Sequence, residues 1–206
     1  MALRTFVKIS GVTNLSDARY CAGMYVDLIG FAVEENSEKY VTPAQFQEIT
    51  GWVSGLEFVG EFSSLPAKDA LGILKSYPSI NWVEHTRIDD LVMLKEAGFK
   101  PIYKKDLSEV RHMESDIATI LKKEGILFHI TSNDDPLTKS DKEVISKLTE
   151  KCEVILGAGL SADNVIGLID TLKLKGIVLE GGKEIKPGLK DFDELADILE
   201  VLEIEE

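Results

Sequence analysis

The feature that most constrains this chain is a repeated beat: a short apolar run, a polar turn, then apolar residues at helical spacing. The beat yields eight candidate strands, over 6–9, 27–31, 57–61, 81–84, 101–103, 126–130, 153–156 and 176–179, with a helical pattern after each. Helix boundaries carry their own signals. Thr42, Pro43 and Gln45 form a cap, a first-turn proline and a capping-box partner. Ser161 reads as another N-cap, with Asn164 in the first turn. Gly98 and Gly125 each follow a helical pattern and precede a strand, as a helix-ending glycine does. Several strands are apolar throughout, which implies a parallel sheet covered by helices. Closure into an α/β (β/α)8 TIM barrel, parallel and eight-stranded, accounts for the count, although the chain is short for that fold. An open doubly wound sheet is the competing architecture, but the first strand-turn carries no GxGxxG for a dinucleotide. The expectation is one barrel domain over 1–206.

Composition narrows the partners. A formal net charge of −13 argues against binding to a nucleic-acid backbone. It leaves room for a small phosphorylated ligand, which one helix N-terminus and one or two lysines can hold. Much of the acidity lies in the closing "DFDELADILEVLEIEE", read as a solvated helix face. No segment approaches membrane-spanning length, and the first residues lack a signal-peptide profile. Cys21 and Cys152 follow no metal-ligand spacing and read as reduced and buried, so a cytoplasmic location is expected.

Chemistry is sought where strands end. "VKISGVTN" (7–14) places Ser10 and Gly11 at the end of the first strand, as nucleophile, base or turn residue. Lys8 stands among apolar residues inside that strand and needs a buried partner, with Glu61 or Glu180 as candidates. His129 and His85 fall at other strand ends, whereas His112 lies on a charged helical stretch and reads as surface. Gly157, Ala158, Gly159, Gly181 and Gly182 follow the seventh and eighth strands. Those two loops form the usual phosphate cradle of a barrel, although glycines also simply make turns.

Four segments resemble one family. "VKISGVTNLSDA", "GFAVEENSEKYVTP", "ILGAGLSADNV" and "EGGKEIKPGLKD" are similar, in order and spacing, to motifs of phosphoribosylanthranilate isomerase of tryptophan biosynthesis; residues 56–150 are less similar. The resemblance implies an aldose-ketose (Amadori) rearrangement of a phosphoribosyl amine, with no metal and no cofactor. It implies a small phosphorylated metabolite as partner and a monomer or homodimer. It places Ser10 where the family has a cysteine base and His129 where it has an aspartate acid. It assigns substrate contacts to Lys8, Lys39 and His85, with Lys39 replacing a carboxylate-binding arginine. It makes 157–159 and 181–182 the phosphate loops.

These replacements matter chemically. A thiol titrates near 8.5 and is readily tuned to thiolate, but a serine hydroxyl is too weak a base without a partner. Histidine can act near neutrality, though not as a copy of a buried aspartate. Lysine keeps the arginine's charge and loses its bidentate fork. Glu180 beside a phosphate is repulsive unless it points away or pairs with Lys183. Three readings stay open: an isomerase with altered proton carriers, a lyase or epimerase on another sugar phosphate, and a non-catalytic barrel binding a metabolite or protein.

Overall fold

The computed structural model describes residues 2–113, 116–132, 136–181, 183–186 and 189–204; of 183–186, 189–191 and 194 it describes the backbone only. Eight parallel strands close into a barrel: β1 Phe6–Ser10, β2 Leu28–Ala32, β3 Glu57–Glu61, β4 Ile80–His85, β5 Lys100–Asp106, β6 Leu127–Thr131, β7 Val154–Gly157 and β8 Gly176–Glu180. Each pairs with its neighbour in sequence, and β8 returns to β1 with Ser10 opposite Glu180. The open-sheet alternative is thereby excluded. Helices α1 Leu15–Gly23, α2 Pro43–Thr50, α3 Ala67–Leu74, α4 Ile88–Glu96, α5 Leu107–Val110, α6 Ile117–Glu124, α7 Lys139–Thr149, α8 Val165–Leu172 and α9 Asp193–Leu202 follow the strands. Two helices, one a single turn, follow β5. None of these is long and apolar enough to cross a membrane.

Local chemistry explains most boundaries. Thr42 and Gln45 close a capping box around Pro43 at the start of α2. Gly125 ends α6 in the left-handed conformation that glycine adopts without a Cβ penalty. Ser161 is not the cap of α8. The helix starts after Asn164, whose side chain accepts from the Ser161 N–H and donates to the Gly159 carbonyl. A polar residue that can tie the loop to itself takes the turn and delays the helix. Two antiparallel ribbons were not foreseen: Ala2–Leu3 with Glu203–Ile204, and Lys183–Lys186 with Leu189–Asp191.

Alternation along each strand divides the packing. Outward residues such as Val7, Ile29, Phe31, Val83, Phe128 and Ile177 join the helices in one large core. Leu195, Ile198, Leu199 and Leu202 bury one face of the acidic α9, so that helix is amphipathic, with its charge on the other face. Cys21 and Cys152 are buried, and His112 is exposed. Inside the barrel a separate apolar floor takes one residue from every strand: Phe6, Leu28, Val59, Trp82, Ile102, Leu127, Ile155 and Val178.

Candidate active site at the carboxyl ends of the strands

Two residues on from each floor residue, the chain returns to the same face of its strand. Those positions are Lys8, Gly30, Glu61, Glu84, Lys104, His129, Gly157 and Glu180. The lumen thus changes from hydrocarbon to charge within one step toward the strand ends. The two glycines make room. A Cβ on Gly30 would run into the Glu61 carboxylate, and one on Gly157 would lie 2.8 Å from His129 Nε2.

Lys8 is the centre of the cluster. Its ammonium donates to Ser10 Oγ (2.6 Å), Glu61 Oε1 (2.6 Å) and Glu84 Oε2 (2.8 Å), which accounts for all its protons. Burial alone would lower its pKa, but Glu61 and Glu84 reverse that and hold it above the ordinary lysine value. Of the two carboxylates proposed from the sequence, Glu61 is a partner and Glu180 is not; Glu84 completes the pair. Burial pushes the Glu84 carboxyl up, yet the charge of Lys8 and the hydrogen bond from the imidazole bring it well below its usual range. Lys104 Nζ stands 3.6 Å from Glu84 Oε1.

His129 lies in this cluster with Nδ1 2.9 Å from Glu84 Oε2. Burial lowers its pKa, and Lys8 and Lys104 add to that against the pull of Glu84. The ring is therefore neutral at pH 7. The carboxylate accepts from Nδ1–H, which leaves the Nε2 lone pair facing the end of β7. Ser10 has a different environment. Its oxygen accepts a hydrogen bond from an ammonium that two carboxylates keep protonated. A serine is activated by a neighbour able to take its proton, and a charged lysine cannot. In this arrangement the Ser10 oxygen is a hydrogen-bond acceptor.

The remaining expected residues separate. His85 does not line the lumen. It follows the inward Glu84, so its ring turns outward, stacks on Phe62, donates from Nε2 to the Leu65 carbonyl (2.7 Å) and accepts from the Arg87 N–H (2.9 Å). Both ring nitrogens serve loop backbone, which corrects its assignment as a substrate contact. Lys39 reaches the mouth, crosses Gly11 and meets Glu180 Oε2 at 2.8 Å. Glu180 therefore pairs with Lys39, across the barrel seam; the side chain of Lys183 is outside the described residues. Gly157, Ala158 and Gly159 form the turn after β7, with Gly159 at φ +62°. The Gly181 N–H donates to the Ser10 carbonyl (3.1 Å) and so is already engaged. Gly182 falls outside the described residues.

Three residues escaped the sequence reading. Glu84 and Lys104 occupy inward positions two residues past apolar ones, a parity that places them beside Lys8. Glu34 is buried after β2, where its carboxylate accepts from the N–H groups of Ser63, Ser64 and Leu65 and from both serine hydroxyls. Burial pushes that carboxyl up, but the five donors bring it down to about 2. No pattern in one sequence marks a contact made across two loops. Among the described residues no group of histidine, cysteine and carboxylate side chains could hold a metal ion.

A closed parallel barrel with an apolar floor and ionisable groups at its strand ends defines the (β/α)8 barrels that place their sites at that face. Comparison with known proteins narrows the class. No family model matches the chain. It is 25% identical to the N-(5'-phosphoribosyl)anthranilate isomerase of Gloeothece citriformis, covering 95% of this chain and 93% of that one. It is 26% identical to that of Maridesulfovibrio salexigens, over 92% and 94%. The crystal structure of phosphoribosyl anthranilate isomerase from Thermotoga maritima superimposes with TM-score 0.76 at 21% identity, covering 96% and 98%. A phosphoribosyl anthranilate isomerase in complex with reduced 1-(o-carboxyphenylamino)-1-deoxyribulose 5-phosphate gives 0.76 at 22%, with the same coverage. Over nearly its whole length the chain is thus similar to phosphoribosylanthranilate isomerases in sequence and shares their barrel fold.

Proposed function

We propose that this chain, one barrel domain over 1–206, binds a small phosphorylated sugar at the carboxyl ends of its strands and carries out the Amadori rearrangement of its family slowly or not at all. The observation that carries this reading is the hydrogen bond from Lys8 to Ser10. The family reaction needs a proton removed from C2 of the sugar after a general acid has opened the ring. Ser10, at the expected base position, is held by a proton donor, and His129, at the expected acid position, is neutral at pH 7. Relatives that match most of the chain support a ligand of their class, and the turn at 157–159 supplies backbone for a phosphate. Titration calorimetry with ribose 5-phosphate tests the binding half: the reading expects saturable binding that ribose alone does not reproduce. Equal heats for both sugars would remove the phosphate from the account.

A second reading rests on the Glu84–His129 pair. A neutral imidazole oriented by a carboxylate can take a proton from carbon, as an epimerase or lyase on another sugar phosphate would require. Deuterium uptake beside the carbonyl of ribulose 5-phosphate in heavy water, lost in His129→Gln, is the outcome that favours it.

A further inference from the structure

We propose that Glu180 is a gate for anionic ligands: its carboxylate occupies Lys39 at the barrel mouth, and a ligand phosphate or carboxylate must displace it. The inference rests on the phosphorylated-ligand reading above and deepens it. Around the mouth three lysines face three glutamates, with Lys8 on Glu61 and Glu84, Lys104 near Glu84, and Lys39 on Glu180. An arriving anion therefore meets a ring whose formal charges cancel. The members differ in how tightly they are held. Lys8 and Glu84 are buried, with side chains 0% and 1% exposed, whereas those of Lys39 and Glu180 are 48% and 74% exposed.

Exposed ion pairs contribute little to stability and exchange partners readily, while buried ones resist separation. Glu180 is thus the carboxylate that can leave. Lys39 is held for the exchange. Its stem lies against Gly11, with Cδ 2.9 Å and Nζ 3.1 Å from where a Cβ would stand, and Gly11 has φ +65°. The ammonium therefore stays over the end of β1 when its partner swings out. Glu180 faces Ser10 across the seam between β8 and β1, so its carboxylate stands beside the point where a ligand would enter. Once it has left, the ring carries one uncompensated positive charge for the ligand's anionic group.

The test is calorimetric titration of ribose 5-phosphate into the wild type, Glu180→Gln and Lys39→Met, with ribose as the neutral control. Glu180→Gln keeps an acceptor for Lys39 and removes the competing charge. Removing one like charge at this range is worth roughly tenfold in affinity. The proposal expects Glu180→Gln to bind ribose 5-phosphate roughly tenfold tighter than the wild type and Lys39→Met to bind it more weakly, with no change for ribose. Wild-type binding that Glu180→Gln leaves unchanged or weakens overturns the gate and leaves the phosphorylated-ligand reading standing. Absence of binding by all three proteins overturns both.

Discussion

The two storeys of the barrel lumen are built on the same eight strands, two residues apart, and are held by opposite physics. The floor from Phe6 to Val178 is one apolar ring, in which each side chain gains by leaving water and any partner of similar shape would do. The storey above it, with Lys8, Glu61, Glu84, Lys104 and His129, gains only while every charge has its partner. The floor makes a barrel. The upper storey makes this particular barrel, and it does so at the face where such folds do chemistry. Charge at the strand-end face is thus satisfied from within the protein, each group by a neighbour on another strand. Ser10 stands against this network, beside an ammonium fixed by two carboxylates.

The largest effect should come from breaking that satisfaction. Lys8→Met takes the shared cation from Glu61 and Glu84 and leaves Glu84 only Lys104 at 3.6 Å, and losing one partner of a buried ion network costs roughly 3–5 kcal/mol. Urea unfolding measures it. A loss under about 1 kcal/mol would say that water reaches the upper storey and that the contrast with the floor is smaller than drawn. Replacing Lys8, Glu61 and Glu84 together by apolar residues should recover much of the loss, since the penalty belongs to the unpaired charge.

The rim should show a pH signature from Glu34. A carboxyl held at about 2 in the folded chain, against an ordinary 4.5, contributes stability that is complete above the unfolded value. That contribution disappears as pH falls from 4.5 toward 2. At neutral pH the gap from Glu34→Gln should be about 3 kcal/mol. Thermal unfolding of both proteins between pH 7 and pH 3 should show the gap closing only below about 4.5. A gap that stays constant with pH would mean that the Ser63–Leu65 donors do not hold the carboxylate. The floor supplies the smallest effect: Ile102→Val should cost roughly 0.5–1.5 kcal/mol and leave ribose 5-phosphate binding unchanged. A change in binding would show that the storeys are not independent.

Legibility in the sequence followed the same division. Seven of the strands were placed to within one residue at each end because their apolar runs stand out between turns; Glu57–Glu61 is identical. β5 was read as 101–103 but runs over Lys100–Asp106, because Lys104, Lys105 and Asp106 look like loop until their strand is seen to enter a charged lumen. Lys8 could be read as needing a partner, and Glu61 could be named. Glu84 could not, since pairing across the lumen depends on the relative stagger of four strands. His85 failed for a related reason. Proximity to a strand end does not fix which face a side chain takes, and one step of parity sends it outward.

If Ser10 cannot serve as a base while Lys8 donates to it, turnover of freshly generated phosphoribosylanthranilate should show it. The wild type should be at or near background. Ser10→Cys puts a thiol beside the Lys8 ammonium, which favours thiolate, and His129→Asp supplies the acid. Each group is worth roughly 10²–10⁴-fold, so the double variant should exceed the wild type and each single variant by far more than assay error. Substantial turnover by the wild type that Ser10→Ala abolishes would contradict the account, because Ser10 would then be removing the proton in spite of the hydrogen bond from Lys8.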